Sequence, residues 1–362
     1  MSERLVAARA LLEARRLDAV LVSDPTDVRY LSGFRGDDTL LLVSRDAAFI
    51  CTDSRYFEQA RDEAGGFELV RSEGGDLLVA DALAAWRSRA TTAAGGPRLG
   101  FQGDVLVYAG YRRLRRAFDG RLVNLGARVS ALRRVKDAGE LALLRRAAAI
   151  TEEALEAVVA GGLAGRSERD VAWAIEVAVH EAGGEGLAFP TIVAAGPHGA
   201  LPHAIPGDTR IARGDLVVID MGARLDGYNS DITRTVAVGS VSDEARSVYE
   251  VVLRAQLAGL AAVREGVLCR AVDGAARRVI DEAGYGERFG HGTGHGVGLE
   301  IHEQPRVARR GGDRLVAGTV VTVEPGVYLE GRFGVRIEDT LAVTVDGCER
   351  LTRSTKELRV VD

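Results

Sequence analysis

The sequence predicts an α/β domain followed by an α+β domain, and three observations carry that expectation. Strand-like runs alternate with helix-like runs up to about residue 130. From residue 137 the order becomes a helix pair followed by strands, and it occurs twice, over 137–238 and 242–345. All six histidines lie after residue 179, so the chemistry belongs to the second half. The boundaries drawn from this are 1–130 and 131–362, in keeping with about two domains for 362 residues.

In the first half, helical spacing of Leu5, Val6, Leu11 and Leu12 predicts a helix over 2–16. A strand is expected over 18–22, a new short element from Pro25, and paired strands over 40–43 and 47–51. Asp53 is read as the cap of a helix reaching Ala64, and Asp76 as the cap of one reaching Arg89. Strands at 67–70, 98–100 and 122–123 and a helix over 105–118 complete the pattern, with 91–97 as a loop. In the second half, helices are expected over 137–159, stopped by Gly161-Gly162, and over 167–181, capped by Ser167. Two more follow, one capped by Ser242 and reaching Arg264, one over 268–283, before β structure over 319–345.

Composition narrows the function classes. A net charge of −5, with both signs interspersed, gives no reason to expect nucleic acid or an anionic membrane as partner. Cys51, Cys269 and Cys348 lie far apart without metal-ligand spacing, which fits a reducing cytoplasm. The N-terminal segment is charged and amphipathic, without the apolar core of a secretion signal, and no apolar run is long enough to span a bilayer.

The richest stretch is a hairpin. Leu216 to Met221 reads as a buried strand, Asp226-Gly227 as a turn and Tyr228 to Val238 as the returning strand. A loop at Leu225-Asp226 would pair Asp220 directly with Asp231; a loop at Asp226-Gly227 would place Asp231 one diagonal step away. Either register keeps both carboxylates on one face, and directly opposed Cβ atoms lie about 4.5–5.5 Å apart. Two such anions in an apolar hairpin need a shared proton or a cation, and a divalent metal is the preferred reading.

Further along, His291-Gly-Thr-Gly-His295 lets backbone approach a site closely and lacks the Lys-Ser/Thr ending of a phosphate loop. Glu324 ends the apolar run 320–323, and Glu338 follows Gly334-Val335-Arg336-Ile337. An antiparallel pairing centred at Gly331 would put both glutamates on one face. Two aspartates, two glutamates and an imidazole suit Mn²⁺, Co²⁺, Fe²⁺ or Zn²⁺. Four carboxylates exceed the charge of one divalent ion, which favours a two-metal site and hydrolysis of an amide or ester.

The order Asp220, Asp231, His295, Glu324, Glu338 resembles the dinuclear metallopeptidases of the pita-bread fold. The stretches Gly-His-Gly-Val-Gly-Leu-Glu-Ile-His-Glu (294–303), Glu-Pro-Gly-Val-Tyr (324–328) and Gly-Val-Arg-Ile-Glu-Asp (334–339) resemble its proline-specific branch, the Xaa-Pro dipeptidases (prolidases) and Xaa-Pro aminopeptidases. Residues 5–125 resemble, more loosely, the creatinase-like N-terminal α/β domain of that branch. The resemblance implies a creatinase-like N-terminal domain and a pita-bread catalytic domain. It implies two divalent ions, with Mn²⁺ preferred, held by Asp220, Asp231, His295, Glu324 and Glu338, the bridges being Asp231 and Glu338. By the same resemblance Glu324 takes a proton from the attacking water, His203 stands near the scissile nitrogen and His302 polarises the carbonyl. His291 would line the proline pocket, Arg336 would support the bridging glutamate, and Arg306 would meet a substrate carboxylate. His180 and His198 match nothing and receive no role. The expected substrates are proline-containing dipeptides or short peptides, with dipeptidase preferred over aminopeptidase. A non-catalytic peptide-binding relative would have lost the ligands that all stand here. A homodimer is expected, with Phe34-Arg35-Gly36-Asp37-Asp38 a candidate contributor to the neighbouring site.

Overall fold

The structure, a computed structural model, describes residues 3–89 and 96–362. It forms two compact units, Met1–Arg133 and Arg134–Asp362. The expected loop at 91–97 lies largely outside the described residues, as does Ser2, where the first helix was expected to begin.

The first unit is built on a six-stranded sheet in the order Glu68–Arg71, Ala48–Thr52, Leu40–Ser44, Ala19–Val22, Arg98–Phe101, Arg121–Asn124. The strands Leu40–Ser44 and Ala48–Thr52 form an antiparallel hairpin, and the outer pairings are parallel. Leu83 and Trp86 from the helix Leu78–Arg87, Leu114 from the helix Tyr108–Ala117 and Phe118 just after it cover the sheet's buried residues. Two expected caps are corrected. The helix Phe57–Glu63 starts at Tyr56 without a side-chain cap, because Asp53 is engaged by the Arg55 guanidinium, whose Nη2 lies 2.6 Å from its Oδ2. Asp76 lies in a short 3₁₀ turn, Gly75–Leu77, and the helix after it begins at Leu78.

In the second unit, the helix Ala138–Ala160 opens with a capping box between Asp137 and Glu140, and Glu168–Glu181 opens with one between Ser167 and Asp170. Leu155, Val159, Val171 and Ile175 from these helices pack with Val193, Val217, Ile219 and Val236 of a four-stranded sheet. The following half repeats the theme. The helices Asp243–Ala262 and Cys269–Glu282 precede a five-stranded sheet that contains Gly294–Gly296, Glu303–Val307, Val320–Val323 and Asp339–Val343.

Two registers decide where the acids go. In the first hairpin Asp220 faces Thr233 and Leu225 faces Tyr228, so the loop is Asp226-Gly227, and the diagonal alternative holds. Both loop residues have positive φ, 47° and 74°, as a type I′ turn requires. The returning strand is interrupted, ending at Asn229 and resuming at Ile232, so Asp231 stands at the break. In the second hairpin Gly326 faces Arg336 and Val323 faces Asp339, one register centred on Gly331. Glu324 and Glu338 fall opposite each other in the gap between those two ladders.

Candidate functional site

Every strand end that carries a motif acid opens on one cavity of about 340 Å³. Its lining includes Asp220, Asp231, His295, Glu324 and Glu338 at the base, and His203, His291, His302, Arg306 and Arg336 around them. All ten residues singled out in the sequence are therefore brought together. Phe189 and Ile192 also line it, and no motif pointed to them. An apolar residue just before a strand, or at its first position as Ile192 is, carries no local mark of facing a cavity.

Glycine spacing has a steric reason here. His295 lies on a short strand held between two others, facing Arg306 on one side, with Gly296 facing Val321 on the other. A Cβ on Gly294 would come 2.1 Å from the Thr322 carbonyl oxygen, and one on Gly296 would come 2.4 Å from that of Gln304. Only glycine lets His295 enter at that depth.

The protonation pattern follows from the hydrogen bonds. His295 Nδ1 donates to the Gly296 carbonyl at 3.1 Å. Its Nε2 therefore presents a lone pair, 3.3 Å from Glu324 Oε1 and 3.6 Å from Asp231 Oδ2. Burial holds the imidazole below its usual pKa, in the neutral form. Burial, followed by repulsion from neighbouring carboxylates, pushes Asp231 and Glu338 well above the usual carboxylate range. Burial raises Glu324 too, against the favourable fields of His291 and Arg336.

Hydrogen bonding leaves part of this cluster unanswered. Asp220 Oδ2 accepts from Arg336 Nη2 at 2.7 Å, and Glu338 Oε2 accepts from Thr233 Oγ1 at 2.8 Å. Their other oxygens, Asp220 Oδ1 and Glu338 Oε1, are buried without a partner among the described residues. One ligand atom each from Asp231, His295 and Glu338 lies within 4.8 Å of the others. Acceptor-only groups crowded around a common point, with two orphaned oxygens, fit a divalent cation.

The surrounding residues form a second layer. Tyr328 Oη accepts from Arg336 Nη1 at 2.9 Å and donates to His291 Nε2 at 2.9 Å. His291 Nδ1 donates to the Gly292 carbonyl, and burial lowers the pKa of this ring as well. The His302 ring stands 4.4 Å from that of His295, nearly edge-on. Burial and the positive fields of His295 and Arg306 lower the His302 pKa, which favours neutral imidazole. Arg306 and His203 are exposed toward the cavity opening.

Comparison with known proteins agrees with this architecture. The sequence model for "Metallopeptidase family M24" matches residues 142–345, and that for "Creatinase/Prolidase N-terminal domain" matches residues 4–135. A Pyrococcus furiosus protein named Xaa-Pro dipeptidase is 36% identical over 360 residues, covering 99% of this chain and 100% of that one. A solved structure described as Xaa-Pro dipeptidase from Bacillus anthracis superposes with a TM-score of 0.94 at 38% identity, covering 99% of each chain. One described as X-Pro aminopeptidase from Thermotoga maritima does so with 0.88 at 37% identity, covering 98% of this chain and 99% of that one. Among the described residues no helix is long and apolar enough to cross a membrane.

Proposed function

Because the chain belongs to metallopeptidase family M24, with a creatinase/prolidase N-terminal domain, we propose that it is a metal-dependent exopeptidase that hydrolyses the Xaa-Pro bond of dipeptides. The observation that carries this is a buried cluster of four carboxylates and one neutral imidazole, with an arginine at the mouth of the same cavity. Asp220, Asp231, His295, Glu324 and Glu338 would hold two divalent ions, Mn²⁺ being the preferred metal and Co²⁺, Zn²⁺ and Fe²⁺ the alternatives. The chemistry such ions supply is a nucleophilic water at neutral pH and polarisation of the scissile carbonyl.

The chain's own residues supply the rest. Glu324 has an oxygen turned toward the cluster and accepts the proton of the attacking water. His302 donates to the carbonyl oxygen as negative charge develops on it. His203, across the opening, hydrogen-bonds at the scissile nitrogen, which in an Xaa-Pro bond has no N–H of its own. Phe189, Ile192 and the His291 ring offer the proline ring an apolar wall, and Tyr328 fixes that imidazole. Arg336 holds Asp220 in place through a charged bond. Arg306 meets the substrate's C-terminal carboxylate, the contact that selects a dipeptide.

The test is a comparison of substrates. Xaa-Pro should be cleaved much faster than Xaa-Pro-amide or Xaa-Pro-Yaa, and a blocked N-terminus should not be cleaved. Arg306→Ala should erase the preference for the free carboxylate, at a cost of about 1.5–3 kcal/mol. Equal rates on dipeptide and tripeptide in the parent protein would instead make it an Xaa-Pro aminopeptidase, the reading favoured by its likeness to the Thermotoga maritima structure. We also read the working form as a cytoplasmic homodimer, with residues 34–38 contributing to the neighbouring subunit's site. The free cysteines suit a reducing compartment, and burial pushes the Cys51 thiol up to about 12. Sedimentation that finds only monomer at working concentration would remove the dimer.

A further inference from the structure

One buried acid lies outside the cluster and serves none of the roles above. Glu168 is the first residue of the helix Glu168–Glu181 and is fully buried. Its Oε1 accepts from the Ala195 amide at 2.9 Å and its Oε2 from the Gly207 amide at 3.1 Å. His198 Nδ1 lies 2.8 Å from both oxygens. A carboxylate only accepts, so Nδ1 carries the hydrogen and donates. One carboxylate thus binds the start, an interior residue and the end of the segment 195–207.

That segment matters because of what it carries. Pro202 and His203 both line the cavity. The Pro202 carbonyl accepts from Arg336 Nη1 at 3.2 Å, and the same guanidinium holds Asp220. Between its anchors the segment mixes exposed and buried positions: Leu201 is 55% and Ile205 84% exposed, while Gly199 and Ala204 are buried. Its interior backbone bonds are short-range, Leu201 N–H to His198 O and Ala204 N–H to Leu201 O. The place of His203 is therefore set by the Glu168 anchors together with the Arg336 bond to the adjacent Pro202 carbonyl. On the opposite side Gly199 packs against Gly334, where a Cβ would come 1.9 Å from the Gly199 carbonyl oxygen. Glu168 holds the segment from one side while the strand Phe333–Arg336 backs it on the other.

We propose that Glu168 and His198 are positioning residues for the hydrolytic reaction, a buried carboxylate–imidazole pair that clamps the segment 195–207 and thereby places His203 at the scissile bond. The proposal rests on the peptidase reading above and deepens it. Neither residue touches substrate; both act through His203. His198→Phe removes the donor while retaining a ring. His198→Asn keeps a donor, because asparagine Nδ2 sits in the same relation to Cβ as histidine Nδ1. Glu168→Gln turns an amide group toward backbone N–H donors and breaks the clamp at its centre.

Two measurements on the full chain test this. In the first, kcat and KM for an Xaa-Pro dipeptide and bound metal are read for each variant, alone and combined with His203→Ala. Misplacement of a catalytic group by about 1 Å can cost on the order of 100-fold, so a partial loosening should lower kcat by about tenfold in His198→Phe. KM and metal content should be unchanged, His198→Asn should recover most of the rate, and the effect should vanish in the His203→Ala background. The same loss with and without His203, or metal loss in parallel with activity, overturns the proposal. In the second, amide hydrogen exchange follows Ala195 and Gly207, which should exchange faster in His198→Phe and Glu168→Gln. Unchanged exchange in His198→Phe overturns the clamp even if Glu168→Gln does not fold. A parent protein inactive on every Xaa-Pro substrate would instead overturn the peptidase reading, and the exchange result would still decide the clamp.

Discussion

Glu338 and Asp339 are neighbours in the chain and opposites in their electrostatics. Asp339 is fully buried and surrounded by donors. Arg234 Nη2 lies 2.8 Å from its Oδ1, while Lys356 Nζ and Gln256 Nε2 lie 2.9 and 3.1 Å from its Oδ2. Burial alone would raise its pKa, but Arg234, Lys356 and Arg350 outweigh burial and hold it below the usual range. Glu338 points to the other face, among Asp231, Asp220 and Glu324, with Thr233 donating to one oxygen and none of the described residues donating to the other. Alternation along a strand sends one acid into a neutralised structural network and the next into an uncompensated one. The contrast shows how this protein treats an acid that serves the fold, and marks the face on which a further cation is needed. Arg234 joins the two faces: its Nη1 also donates to the carbonyls of Glu338 and Thr233.

Four experiments would break or sharpen that contrast. The largest effect is expected from Asp231→Asn. Activity should fall to background and metal content should drop, because a neutral amide is a far weaker ligand for a divalent cation than a carboxylate. In chelated protein the same change should leave thermal stability equal or higher, since it removes a like charge from the crowded face. Retained activity after exhaustive chelation would defeat the metal assignment.

Next come the imidazoles over the uncompensated face. His302→Ala and His203→Ala should each lower turnover by roughly 10²–10⁴ with metal content intact. Parallel loss of metal would move them from chemistry to ligation. Third, the neutralised face should fail differently. Asp339→Asn leaves Arg234 and Lys356 with an unbalanced buried charge and should cost about 3–5 kcal/mol of stability, read by denaturant unfolding. A variant as stable as the parent would show that the network is not electrostatically coupled. The smallest effect belongs to Thr233→Val, which removes one hydrogen bond from Glu338 and should cost on the order of 1 kcal/mol, with a modest loss of metal affinity.

Legibility varied with how local each cause was. Helices with capping boxes could be read from their first four residues, because Asp137 with Glu140 and Ser167 with Asp170 satisfy each other within one turn. Asp53 and Asp76 look like caps by residue type alone, without an acid three residues on, and Asp53 is drawn away by Arg55 while Asp76 lies in a turn before the helix starts. The hairpin left two registers open, and the backbone at Asp226-Gly227 chose between them. His198 carried no motif, and its partner lies thirty residues earlier, so no spacing rule connects it with Glu168.

The sequence by itself determined which residue types lie on which strand faces, since the period of two and the turn chemistry are local properties. It therefore carried the five acidic and imidazole positions and the pairing of Glu324 with Glu338. Only the tertiary structure decided which acids are neutralised. Arg234, Lys356 and Arg350 reach Asp339 from other parts of the chain, and the gathering of four carboxylates around His295 depends on two hairpins meeting. Charge compensation is set by distance in space, and a linear pattern does not contain that distance.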